Sequence, residues 1–265
     1  MGTRDADDVR WKRIVAGGGR VLFRCRDALV PLAIGTLVLL TRRGDFLAGS
    51  AINDLLDAIG GAVVATGLAI RLTVLATSGV RRSGVHRRIV AAILYEEGPY
   101  GWCRNPLYVG NALVLIGLAM IFDSRWMVFV ALPIALLAIA SLVAAEEREL
   151  LRAHGERYRQ YCARVPRFVS RALPTLRGLQ PDWRRALRKE HGTLFSAAST
   201  AILLIATERY ARFGAIGPRL GPALLVAWLI AAAGWATIRR WKHAGWLNDD
   251  ASAAPAAPHA GDVAA

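Results

Sequence analysis

Two short stretches hold the residues whose types and spacing could do chemistry. The first is GPYGWCRNPLYVGN, residues 98–111, and the second is AEERELLRAHGERYRQYCARVPRFVS, residues 145–170. In the first, Pro99 and Pro106 stiffen the backbone, and Gly98 and Gly101 permit shapes that bulkier residues resist. Pro106 fits the first turn of a helix, with Asn105 as its N-cap. Such a helix start offers free N–H groups and partial positive charge to a carboxylate. Arg104, one residue earlier, could clamp the same carboxylate through two hydrogen bonds. In the second stretch, at 100° per residue, Glu147, Leu151, His154, Tyr158, Tyr161 and Val165 fall on one helical face. Glu146 points about 100° away, beside Leu150. One carboxylate is thereby set among two tyrosines and a histidine. Each stretch also has a plainer reading. The second could be an interfacial helix whose glutamates pair with Arg148 or Arg152. The first could be a capped helix start with Arg104 on lipid phosphate.

The elements that must position these residues are membrane helices. The chain is 54% hydrophobic yet carries a net charge of +14. That combination suits apolar spans with Lys and Arg gathered in the loops between them. It argues against a nucleic-acid-binding protein, because most basic residues flank long apolar runs. A bilayer core of about 30 Å needs roughly 20 mostly apolar residues per helix. Six segments compete for that role, near residues 27–41, 55–79, 107–122, 126–145, 193–207 and 222–238. The first and fifth are short. Twelve Lys or Arg lie in 146–192 against one in 123–125, and seven precede residue 27. By the positive-inside rule both termini and the loops at 80–106 and 146–192 face the cytoplasm. The expected fold is therefore all-α, a polytopic membrane helix bundle of about six transmembrane helices with a cytoplasmic pocket. Both stretches open or close a cytoplasmic loop.

Three further features bound the reading. Arg71 lies within the second span, ten residues before Arg81, a depth that snorkelling only partly relieves. It is either the wall of a polar substrate pocket or half of an ion pair with a carboxylate from another helix. Cys25, Cys103 and Cys162 are odd in number and far apart, so neither a structural zinc site nor a disulfide framework is expected. The first 26 residues are polar and do not read as a cleavable signal peptide. The Ala/Pro-rich residues from Asp249 onward read as a disordered, dispensable tail.

The first stretch resembles the G-P-Y-x-x-x-R-[HN]-P-x-Y-x-G signature of the isoprenylcysteine carboxyl methyltransferase and phospholipid methyltransferase group. The other stretch is similar to the partner block of that group, E-E-x-x-L…G-x-x-Y-x-x-Y-x-x-x-V-P-R-[FW]. Order and intervening apolar hairpin match too, over roughly residues 55–170. The resemblance implies an integral-membrane methyltransferase that uses S-adenosylmethionine at the cytoplasmic face. It assigns cofactor binding to Gly98, Tyr100, Arg104, Asn105, Pro106, Tyr108 and Gly110 of the first block. From the second it assigns Glu146, Glu147, Tyr158 and Tyr161. Arg104 and Glu147 are the candidates for catalysis, and Arg71 for the substrate pocket; no metal is expected. Asn105 stands where many relatives have histidine. The implied organisation is a cytoplasmic segment 1–26, a methyltransferase core 27–170, a loop with two added spans 171–248, and the tail 249–265. The acceptor would be a membrane lipid or a prenylated carboxylate entering between spans. An NADPH-dependent membrane reductase of the sterol-reductase type and a non-catalytic lipid-binding scaffold are the rival readings.

Overall fold

The computed structural model describes residues 50–78, 94–170 and 180–246. The expected span at 27–41, the N-terminal segment and the tail lie outside the described residues. Within them the chain is all-α, with no strand. Its elements are α1 (Ser50–Thr77), the single turn α2 (Pro99–Trp102), α3 (Pro106–Phe122), α4 (Leu132–Arg164), α5 (Trp183–Phe213) and α6 (Leu220–His243). A π-helical turn at Met127–Ala131 leads into α4. Pro133 lies two residues beyond it; its ring has no N–H and crowds the carbonyl four residues back, inside the turn, a conflict that a widened turn relieves.

Among the described residues, three helical stretches are long and apolar enough to cross a membrane: Asp54–Thr77, Met127–Arg164 and Leu220–His243. The 17-residue helix Pro106–Phe122 is shorter. The stretch Met127–Arg164 has 38 residues. At 1.5 Å per residue it runs roughly 57 Å, nearly twice the hydrocarbon thickness, so its polar second half must leave the membrane. Side chains such as Phe129, Ile134, Leu137, Leu203 and Ile230 are exposed, as lipid-facing positions should be.

α1 and α3 are antiparallel and meet on two glycine pairs. A Cβ built on Gly117 would stand 2.5 Å from the Gly60 carbonyl, and one on Gly67 would stand 2.6 Å from that of Gly110. The missing side chains let the two backbones touch, the small-residue packing that membrane helices favour. α5 completes this core: Val64 of α1, Ile121 and Phe122 of α3, and Ala197 and Leu204 of α5 are buried together. The helix expected near 193–207 is thus longer at both ends and packs against α1 and α3. Asp182 caps its start by accepting from the Arg185 amide at 2.9 Å. At the far end Arg209 meets Asp54. α6 packs on α5 through aromatic contacts, with Phe195 stacked on Trp235 at 5.3 Å, and none of its residues is buried.

α4 is not one continuous helix. Gly155 interrupts it at φ 52°, ψ −120°, a region essentially reserved for glycine. The single face expected for Glu147 through Val165 is therefore two faces joined at a bend. Leu151, one turn after Glu147 and before the bend, is exposed at 37%, while Glu147, Tyr158 and Tyr161 are buried. A Cβ at Gly155 would meet nothing within 4 Å, so only backbone strain opposes a side chain there. Gly155→Ala is expected to cost about 1–3 kcal/mol of stability, read as a lower melting temperature in detergent. An unchanged melting temperature would mean the helix runs straight through.

Candidate active site

Glu147 is the hub of the site. Its Oε1 accepts from Asn105 Nδ2 at 3.1 Å and lies 3.7 Å from Arg104 Nη1. Its Oε2 accepts from Arg167 Nε at 3.0 Å, with a second contact to Nη2 of the same guanidinium. One carboxylate from α4 thus binds the first block and the segment that follows α4. The backbone repeats the link: the Arg104 amide donates to the Pro166 carbonyl at 2.9 Å, and Asn105 Nδ2 donates to the Arg167 carbonyl at 3.1 Å.

Asn105 holds the N-cap position of α3, but its side chain makes no capping bond. The expectation of a side-chain cap is corrected on this point. Its Nδ2 donates to Glu147 and to the Arg167 carbonyl instead, which holds the amide in an orientation that leaves Oδ1 out of the cap. The turn is closed by the Asn105 carbonyl, which accepts from the Tyr108 and Val109 amides at 3.0 and 3.1 Å. Pro106 takes the first helical position, where its missing N–H costs nothing.

The remaining residues gather around the hub. Tyr108 donates from its hydroxyl to Glu146 Oε1 at 2.9 Å. Tyr161 donates to the Tyr100 carbonyl at 2.7 Å, tying α4 to the turn α2. Gly98 begins that turn at φ 60°, ψ −129°, close to the conformation of Gly155. Tyr158 and Tyr161 pack as a tilted pair, with ring centroids 6.0 Å apart and 47° between the planes. Glu96, just before the first block, pairs with Arg157 at 2.7 Å and Arg164 at 3.1 Å on the exposed side.

Burial sets the electrostatics. The Tyr100 phenol is pushed well above its ordinary range by burial, with the Glu146 charge adding to it, so it stays neutral. The buried Cys103 thiol is pushed up to about 11 by burial, against a smaller opposing hydrogen bond from the Asn105 backbone. Burial opposes the Arg104 charge, but Glu147 and Cys162 beside it outweigh that and hold the guanidinium charged.

Two residues expected in the site stand apart from this hub. Gly110 faces α1: a Cβ there would lie 2.6 Å from Arg71 Cγ and 2.8 Å from the Gly67 carbonyl. Arg71 is buried at 6% exposure and forms a two-pronged ion pair with Glu190 of α5. Its Nε reaches Oε2 at 3.0 Å and its Nη2 reaches Oε1 at 2.7 Å, while Nη1 contacts Asn111 Oδ1. Arg71 is thus paired with a carboxylate from another helix. Sequence reasoning misses Arg167, Trp102, Asn111 and Glu190. Only Arg167 carries a visible signal, the V-P-R-F step of the second block.

Two polar groups of the site are left without a protein partner. Trp102 Nε1 and Arg104 Nε are buried without a hydrogen-bond partner among the described residues. Buried donors are rarely left unpaired without a reason. Among the described residues no group of three or more His, Cys, Asp or Glu is placed to hold a metal ion.

Residues 56–157 match the phospholipid methyltransferase family. The matched region starts in α1, takes in α2 and α3, and ends in α4 just beyond the Gly155 bend. The chain is also similar to the cobalt-zinc-cadmium resistance protein CzcN of Cupriavidus metallidurans, at 35% identity over 78 residues. That similarity covers 29% of this chain and 36% of CzcN, so the chain spans about a third of the length of the curated relative it matches. No solved structure matches.

Proposed function

We propose, on the premise that residues 56–157 are a phospholipid methyltransferase domain of a membrane protein, that this protein transfers a methyl group from S-adenosylmethionine to a membrane-borne acceptor. The acceptor is a lipid or an isoprenylcysteine-type carboxylate presented at the cytoplasmic face. The observation that carries the reading is the Glu147 hub, which joins Arg104 and Asn105 of the first block to Arg167 of the second.

The residues present suit such a cofactor. When bound, it supplies a methyl group activated on a sulfonium cation. Arg104, with an unpaired Nε, is fitted to its carboxylate. Glu146, reached by Tyr108, is fitted to its ammonium or ribose hydroxyls. The faces of Tyr158 and Tyr161 offer attraction to a cation. Methyl transfer is an in-line displacement, so the rigid frame around Glu147 contributes by fixing distances and angles. Glu147 itself is a poor proton acceptor in this setting: both of its oxygens already face donors from Asn105, Arg104 and Arg167. That favours an acceptor oxygen already ionised, a carboxylate, over an amine that must first lose a proton.

Purified protein in lipid nanodiscs is expected to bind S-adenosylmethionine with a dissociation constant of roughly micromolar order, about −8 kcal/mol, and not to bind NADPH. Calorimetry reads both. NADPH binding without S-adenosylmethionine binding would put a reductase in place of a methyltransferase, and binding of neither would favour a lipid-binding scaffold.

A further inference from the structure

The first three turns of α5 lie outside the matched methyltransferase domain, yet they grip it at the level of the site. Arg185 Nε donates to the Leu75 carbonyl at 3.3 Å, and its Nη2 donates to the carbonyls of Ala76 and Ser78 at 3.3 and 3.2 Å. The Asp182 amide donates to the Ala76 carbonyl at 2.9 Å. These donors satisfy the last carbonyls of α1 and place positive charge at the negative end of its dipole. One residue on, Ala186 is fully buried with Leu75 and Ala76, and Leu107 packs against the same cluster. Leu107 lies between Pro106 and Tyr108, in the first turn of α3. One turn deeper, Glu190 is 1% exposed and holds Arg71, which in turn contacts Asn111 of α3. Asn111 follows Tyr108 by three residues and so lies on an adjoining part of the same helix surface.

We infer that the start of α5 is a clamp that fixes the first turns of α3 against α1, and that Glu190 is a positioning residue for the cofactor pocket. The inference rests on the methyltransferase reading for its cofactor arm alone. Glu190 touches no reacting group. It acts by compensating Arg71, whose guanidinium then holds Asn111 and, through α3, the register of Asn105 with Glu147 and of Tyr108 with Glu146. Without the Glu190 charge, a buried guanidinium is left to seek another acceptor, and α3 loses the brace opposite its site-bearing turn. The two added helices thereby divide in role: α5 is part of the catalytic unit, while α6 buries no residue.

The test uses the full chain in nanodiscs and two readouts. The first is the dissociation constant for S-adenosylmethionine. The second is the alkylation rate of Cys103, which is wholly buried beside Arg104 and reports the packing of the first block without any cofactor. Glu190→Gln is expected to weaken cofactor binding about tenfold, the scale of a modest misplacement, and to raise Cys103 alkylation about fivefold or more by easing local opening. Glu190→Asp should recover part of both. Glu208→Gln is the control: this carboxylate is also buried on α5, at 2% exposure, but roughly 27 Å further along the helix. It should change neither readout, even where it lowers the melting temperature. The inference is overturned if Glu190→Gln leaves Cys103 as protected as in the wild type, or if Glu208→Gln exposes it equally. A wild type that binds no S-adenosylmethionine would instead remove the methyltransferase reading, and Cys103 alkylation would still decide the clamp.

Discussion

Glu147→Ala is expected to lower methyl transfer by about 100-fold or more, equivalent to about 2.7 kcal/mol of transition-state stabilisation. The reason is geometric. Removing this carboxylate takes the shared acceptor from Asn105 and Arg167 and the charge partner from Arg104 at once. Three groups from two separate stretches lose the atom that sets their relative positions. Glu147→Gln separates a hub from a proton acceptor. A glutamine keeps one oxygen for Asn105 but turns an amide towards a guanidinium, so as a hub it should retain activity between wild type and alanine. As a general base it should be as inactive as alanine. Glu149→Ala, by contrast, removes only an exposed pair with Arg152 and should leave activity within about twofold of wild type, since such surface pairs contribute little. Formation of S-adenosylhomocysteine in lipid nanodiscs measures all three variants. Full activity in Glu147→Ala would remove this residue from the site.

The meeting of the two stretches is legible in the sequence because each is short and rigid. Pro99, Pro106 and the glycines leave little freedom in the first, and Glu147 has to sit where the helix after the fourth apolar segment emerges. What the side chains do there is less legible. Asn105 reads locally as a cap, but its Nδ2 is turned to donate to a carboxylate 42 residues away and its side chain makes no capping bond. The Gly155 bend is not legible, because helical periodicity carries no information on φ. The bend redirects the segment that carries the buried Tyr158 and Tyr161. Arg71 demands a carboxylate without saying which. Glu190 is 119 residues away, on a helix whose polar first turns are unsuited to burial until Arg71 and the end of α1 are placed against them. The apolar pattern near 193–207 locates α5, but its ends lie beyond that pattern, at the Asp182 cap and at Gly214, whose φ of 69° closes the helix.

The helix crossing that supports all of this makes the second large prediction, one in which the sign changes between adjacent residues. Gly60→Ala is expected to destabilise the protein by about 1–3 kcal/mol, as overpacking does, and Gly61→Ala to leave it unchanged or slightly more stable. A Cβ on Gly60 would lie 2.8 Å from both the Gly117 carbonyl and Ile121 Cγ1. Backbone oxygen cannot swing aside as a side-chain tip can, so α1 and α3 must separate. A Cβ on Gly61 meets nothing within 4 Å, and in a helix alanine is favoured over glycine by about 1 kcal/mol. The same contrast should reach the site. Gly67→Ala would drive a Cβ to 2.6 Å from the Gly110 carbonyl, next to Asn111 and its contact with Arg71, so it should lose methyl transfer as well as stability. Melting temperatures and turnover of the three variants read this out together. Equal melting temperatures for Gly60→Ala and Gly61→Ala would mean that α1 and α3 do not cross on their glycines, and the register that carries Tyr108 to Glu146 would have to be rebuilt.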